Sequence, residues 1–207
     1  KEKGPSVDTV IAINQNFLAD LLKITGPVQA DGLQAPFTSE NYQLVLSYII
    51  ESKLAGVENP KAVLGTFIQA FQQKLFTSEL LPQVIAAFVK GYEDKDILLY
   101  SRYENIQQMF DELKMSGRIN KTMPTEDYLN IIITSIGGNK SDRYVEQKLE
   151  HNTIVKEDGT LTNELIITRH HHWSATALDE WQKTLAPFGY TEISETVKDI
   201  LGRGVNK

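Results

Sequence analysis

The sequence predicts a mixed α/β fold: a central mixed sheet covered by helices, with a long antiparallel hairpin in the C-terminal half. Three observations carry this expectation. Short, mainly apolar runs of strand length stand at 9–13, which is rich in β-branched residues, at 96–100 and at 129–136. Between the first two, apolar residues recur every three or four positions, the period of a helix with one buried face. Near the C-terminal end, two strand-like runs, 145–155 and 160–172, flank Asp158-Gly159, a dipeptide suited to a two-residue hairpin turn.

The first run, Thr9-Val10-Ile11-Ala12-Ile13, has the character of a buried strand. Asn14 then offers a side-chain oxygen to the free N–H groups that begin a helix. Phe17, Leu18, Leu21 and Leu22 form its apolar face, and Gly26-Pro27 stops it. Residues 28–30 read as a short second strand. Thr38 or Ser39 caps a helix with Leu44, Val45, Tyr48 and Ile49 inward. Asn59-Pro60 starts the next, because proline at the first helical position loses no hydrogen bond. Val63, Leu64, Phe67, Ile68, Phe71 and Leu75 make its stripe. Ser78 caps a further helix with Leu81, Val84, Ile85 and Phe88 inward and Gly91 closing it. After the strand at 96–100, residues 104–114 read as a helix ending near Gly117. Residues 129–136, continuously apolar but for Asn130, Thr134 and Ser135, are expected as a central strand. Two short helices, near 178–185 and 192–201, complete the chain. No internal repeat and no low-complexity linker interrupts it, so 1–207 is expected to be one α/β domain.

Composition narrows the function classes. The 207 residues are 41% hydrophobic and 23% charged, the balance of a globular chain. A chain of this length buries roughly 70% of its unfolded surface and needs no disulfide or metal staple. A formal net charge of −6 argues against tracking nucleic-acid phosphates. The absence of cysteine excludes disulfides, thiolate zinc sites and a cysteine nucleophile. No apolar run reaches the length of a membrane span, and the polar start is no signal peptide.

Two segments concentrate chemistry. In Gly137-Gly138-Asn139-Lys140-Ser141-Asp142-Arg143, the glycines admit close backbone approach, and exposed N–H groups with Lys140 and Arg143 suit an anion. The phosphate-loop spacing Gly-x4-Gly-Lys-Ser/Thr is missing. The plainer alternative is a tight turn in which Asp142 bonds backbone amides. Asn139, Lys140, Asp142 and Arg143 are thus the candidate ligand-binding residues. In His170-His171-His172, strand alternation places His170 and His172 on one face, a start for zinc if a third ligand arrives. With Asp158-Gly159 as a two-residue turn, Ile166 pairs with His151, which then lies roughly 13 Å along the ribbon from the triplet. Without that third ligand the histidines are a polar strand end.

Other constellations are weaker. Glu93 with Asp94 and Asp96, Asp111 with Glu112, and Glu157 with Asp158 place carboxylates together in sequence. Acid–base catalysis needs them to converge in a cleft, and solvated helix ends and turns are the default. No Gly-x-Ser-x-Gly elbow places a serine nucleophile. Trp173 and Trp181 are candidates for a sugar platform, although Trp181 falls on the apolar face of a helix.

The opening 7–14 (VDTVIAIN) and 17–28 (FLADLLKITGPV), the strand at 96–100 with its Gln-rich helix, the stretch 128–142 and the closing 200–204 (ILGRG) resemble a bacterial family, domain of unknown function 4012. The resemblance runs over nearly the whole chain. It implies an extracytoplasmic domain of a membrane-anchored cell-envelope protein, of which this chain is a fragment. A fainter resemblance, in the order of the opening elements, is to LytR-CpsA-Psr proteins. These transfer lipid-pyrophosphate-linked glycans and hold pyrophosphate and magnesium with arginines and acidic residues. Here 41–53 carries no Arg and 60–76 no Arg–Gln pair, so no catalytic residue carries over.

The expected function is a non-enzymatic envelope binding or assembly module. Its partner would be a cell-wall or surface glycan, or an envelope protein. It would need no cofactor, would bind no nucleic acid, and would meet the membrane only through an anchor outside this chain. Two alternatives stay open: a LytR-CpsA-Psr-like phosphotransferase with Mg2+, and a metal-dependent hydrolase using His170 and His172.

Overall fold

The computed structural model describes residues 6–52, 62–119, 122–123, 126, 128–134 and 142–202. The fold is mixed α/β, with seven helices and two antiparallel two-stranded sheets among the described residues. By its internal contacts the chain divides into two compact units, 1–46 with 56–132, and 47–55 with 133–207.

The first unit opens with β1 (Thr9–Ile13), paired antiparallel with β2 (Ile97–Ser101) in the register Ile11↔Leu99; every residue of β1 is exposed, against the buried strand expected there. Asn14 ends β1 and caps α1 (Gln15–Thr25), its Oδ1 accepting the Asn16 N–H at 3.0 Å. Gly26 ends the helix at φ +69°, a conformation glycine takes without steric cost. A lone bridge, Val28↔Phe37, stands where a second strand is expected. Before α2 (Tyr42–Glu51), the Thr38 hydroxyl accepts the Asn41 N–H while the Asn41 side chain accepts the Thr38 N–H. Such a reciprocal cap satisfies two donors that would otherwise lack partners. The expected inward residues Leu44, Val45, Tyr48 and Ile49 are all buried.

The next two helices correct the sequence reading. In α3 (Ala62–Leu75) the buried stripe is Phe67, Phe71 and Leu75, while Ile68 is exposed. The start expected at Asn59-Pro60 lies outside the described residues. In α4 (Leu81–Glu93) only Val84 and Gly91 are buried; Leu81, Ile85 and Phe88 are 40–56% exposed. Leu80 occupies the cap position, not Ser78. Gly91 does not close this helix. It lets α4 approach α1, because a Cβ there would stand 2.7 Å from Cδ2 of the buried Phe17 ring. Phe17 in turn meets Phe88 edge-on, with ring centroids 4.9 Å apart. After β2, α5 (Glu104–Glu112) runs back along the strand, and its following turn lays the Met115 carbonyl against the Leu99 N–H at 2.8 Å.

Among the described residues the expected central strand is not found. Residues 129–134 form no ladder, and Leu129, Ile132 and Ile133 are exposed, Ile132 at 76%. Residues 135 and 136 lie outside the described residues.

The second unit holds the hairpin β3 (Val145–Val155) and β4 (Leu161–His171). Its turn differs from the expectation. Lys156 N–H donates to Thr160 C=O and Gly159 N–H to Lys156 C=O, both at 2.9 Å, and of the loop residues Gly159 alone has positive φ, +81°. Three residues therefore cross between the strands, the type I turn with a glycine bulge, not a two-residue turn. The register moves by one, so His151 pairs with Leu165 and Ile166 with Glu150.

After the hairpin, Ser174 caps α6 (Ala175–Leu185), and α7 (Glu195–Gly202) follows a short 3-10 turn. Trp181 is 1% exposed, which places it in the core, with Leu185, Phe188, Val197 and Leu201 also buried. Its indole N–H donates to the Tyr144 hydroxyl. Burial pushes the Tyr144 phenol above its ordinary value. Within the same unit, Tyr48 donates to the Glu192 carbonyl at 2.9 Å.

Candidate functional site

Of the four expected ligand-binding residues, Asn139 and Lys140 lie outside the described residues. Asp142 and Arg143 open the 3-10 turn Asp142–Tyr144 that leads into β3. They engage different partners. Asp142 Oδ1 stands 3.6 Å from the Arg169 guanidinium, and the Arg143 guanidinium lies over the Tyr144 ring at 5.5 Å.

His170 and His172 share one face, as alternation predicts, with ring centroids 4.3 Å apart. The ladder brings Glu146, not His151, to this pair. Glu146 stands opposite His170, and its Oε2 is 2.9 Å from His172 Nε2. His151, opposite Leu165, is five positions from His170, about 17 Å along the strand. Among the described residues no three His, Cys, Asp or Glu side chains are gathered so as to hold a metal. On the other face, His171 Nδ1 accepts the Trp173 N–H at 3.2 Å.

The sequence reading missed a cationic hollow of about 510 Å3 in the first unit, lined in part by Lys95, Asp111, Lys114, Ser116, Arg118 and Tyr128. Two backbone reversals build it. Lys95 turns the chain from α4 into β2 at φ +64°, and Lys114 turns it out of α5 at φ +57°. A left-handed lysine costs about 1–2 kcal/mol, which neighbouring contacts must offset. Here each reversal is latched to the other. Lys95 Nζ donates to the Lys114 carbonyl at 2.7 Å and lies 4.9 Å from the Tyr92 ring centroid, while the Tyr92 hydroxyl donates to the Leu113 carbonyl. Gly117 follows at φ +65°, and a Cβ there would come within 2.8 Å of the Leu98 side chain. The strand–helix–turn packing thus fixes where Arg118 emerges.

Asp111 organises the floor. Its Oδ1 accepts from the Gln107 amide at 2.9 Å and its Oδ2 from the Arg118 guanidinium. The Ser116 hydroxyl, the Gln107 amide and the Arg118 charge together hold its carboxyl below the ordinary value of 3.8. Three cations against this one carboxylate give the hollow a local charge of +2 within a chain of net −6. Cationic donors, a serine hydroxyl and a phenol are what an oxyanion carried on a hydroxyl-rich ligand requires.

The hairpin supplies a second surface. On the face shared by Leu149, Val155, Leu161, Leu165 and Ile167, these side chains are 37–68% exposed.

No protein-family model, no curated protein and no solved structure matches the chain.

Proposed function

We propose that the chain is a non-enzymatic, extracytoplasmic binding module of a bacterial cell-envelope protein, and that it holds an anionic envelope glycan. The observation that carries the reading is the hollow that Lys95, Lys114 and Arg118 line together with Asp111 and Tyr128. A glycan bearing phosphate or carboxylate groups would place its charge among the three cations and its hydroxyls toward Ser116 and Tyr128. The envelope setting rests on the resemblance of the chain to domain of unknown function 4012. Among the described residues no helix is long and apolar enough to cross a membrane, so membrane attachment would come from outside them.

Calorimetric titration tests the reading with three ligands of equal length: a phosphodiester-linked polyol glycan, a uronic-acid oligosaccharide and a neutral oligosaccharide. Saturable binding of a charged ligand, lost with the neutral one and weakened about tenfold in Arg118→Gln, is expected, because a charge-assisted hydrogen bond is worth about 1.5 kcal/mol or more. A preference between the two charged ligands identifies the anion. Binding that ignores ligand charge, or that survives in a Lys95→Gln, Lys114→Gln, Arg118→Gln triple variant, contradicts the proposal. Turnover of a prenyl-pyrophosphate glycan with Mg2+ would contradict its non-enzymatic part and favour the phosphotransferase.

A further inference from the structure

We infer that the β3–β4 ribbon stacks face to face on the same ribbon of a second copy of this chain. Every residue from 151 to 170 is exposed, although a two-stranded ribbon alone is marginal in water and normally needs cover. The two faces of the ribbon differ in chemistry. One carries Glu146, Lys148, Glu150, Asn152 and Glu164, with a Lys148–Glu150 pair and Glu146 beside His172, and only two exposed apolar side chains, Ile154 and Ile166. The other carries the five exposed apolar side chains, and its one Arg, Arg169, already stands beside Asp142. Of its polar side chains, Thr153 next to the tip donates its hydroxyl to Asn163 across the strands at 2.7 Å. Covering this face therefore leaves few polar groups without partners.

The order of side chains along that face selects a second copy as the occupant. From the open end to the tip, the paired levels are Val145/His171, Gln147/Arg169, Leu149/Ile167, His151/Leu165, Thr153/Asn163 and Val155/Leu161. A twofold axis through the middle of the ribbon sets each level on its mirror in the list. Leu149/Ile167 then meets His151/Leu165 and Gln147/Arg169 meets Thr153/Asn163, while Val155/Leu161 reaches the Val145/His171 level, which its own chain already half-buries. Apolar levels fall on apolar-bearing levels and polar on polar, the self-complementarity that a twofold interface requires. The strands are 11 residues each, so the face is about 37 Å long and about 10 Å wide. Allowing for side-chain relief, stacking removes about 600 Å2 from each copy, roughly 1,200 Å2 in all, the lower end for a specific interface. The dimer is thus expected to be reversible.

Sedimentation equilibrium of the whole chain tests this. A monomer–dimer equilibrium with a dissociation constant of roughly 1–100 μM is expected. Leu165→Glu and Ile167→Glu should each raise that constant at least tenfold. Ile166→Glu, exposed on the other face, should leave it unchanged, with circular dichroism confirming that all three fold. A chain that stays monomeric at about 0.5 mM would overturn the inference. So would a dimer that survives both face variants, or equal sensitivity to Ile166→Glu. Ribbon amides protected from hydrogen exchange in a monomeric chain would overturn it too, since the cover would then not be a second copy.

Discussion

Removing the carboxylate of Asp111 should strengthen anion binding, although it deletes a polar contact in the site. In the protein as it stands, Asp111 occupies part of the Arg118 guanidinium and cancels one of three positive charges. Asp111→Asn keeps the shape and the Gln107 contact within reach, and raises the local charge from +2 to +3. An anion on the far side of the Arg118 guanidinium, which itself bonds Asp111, is taken at about 6 Å from the altered carboxyl. In a solvent-rich setting, one unit charge at that distance changes an equilibrium constant by about fivefold at low ionic strength. Near 0.15 M salt, where the Debye length is about 8 Å, the gain should shrink to about twofold. Titration of the charged glycan into both proteins at two salt concentrations reads this directly. A variant that binds no tighter at low salt, or binds more weakly, would refute the assignment of Arg118 and its neighbours as the anion's seat.

The same carboxyl predicts a pH dependence of stability. Its folded value lies below the ordinary 3.8, so the unfolded chain takes up the proton first as pH falls. The stabilisation is present above the ordinary value and fades as pH drops through the folded one. Urea midpoints for the unaltered chain and Asp111→Asn should therefore differ at pH 7 and converge near pH 2; a constant gap would count against it. Gly91→Ala should destabilise by about 1 kcal/mol, because overpacking against Phe17 costs about 1–3 kcal/mol and outweighs alanine's helix preference of about 1 kcal/mol. A stabilised variant would show that Phe17 yields freely. Tyr144→Phe strands the buried Trp181 indole N–H and should cost about 1–3 kcal/mol in urea melts, with a shift in tryptophan emission.

The parts of the fold governed by local chemistry were legible in the sequence. Asn14 caps because its oxygen reaches the next turn, and Leu44, Val45, Tyr48 and Ile49 lie on one side of any helix drawn through them. The hairpin was legible too, but not its register. Asp158-Gly159 is compatible with one or two residues of positive φ, and that choice shifts every cross-strand pair by one. Glu146 was therefore missed as the neighbour of His172. Tertiary partners were less legible. The β-branched character of residues 129–134 suits a strand, yet a strand also needs a ladder, and no window of sequence contains its partner. Gly91 resembles a helix stop in sequence, but its use depends on a ring more than seventy positions away. The hollow was invisible for the same reason. Lys95, Lys114 and Arg118 form no basic cluster in sequence, and the left-handed turns at the two lysines carry no glycine to announce them.

An envelope anion held in this hollow would perturb the backbone amides that line it. The most direct measurement is a backbone-amide NMR titration of the whole chain with the charged glycan. Saturable shifts concentrated at Lys95, Lys114, Ser116, Gly117 and Arg118, diminished in Arg118→Gln, are expected. Shifts centred instead on Asp142 and Arg143, or none at saturating ligand, would contradict it.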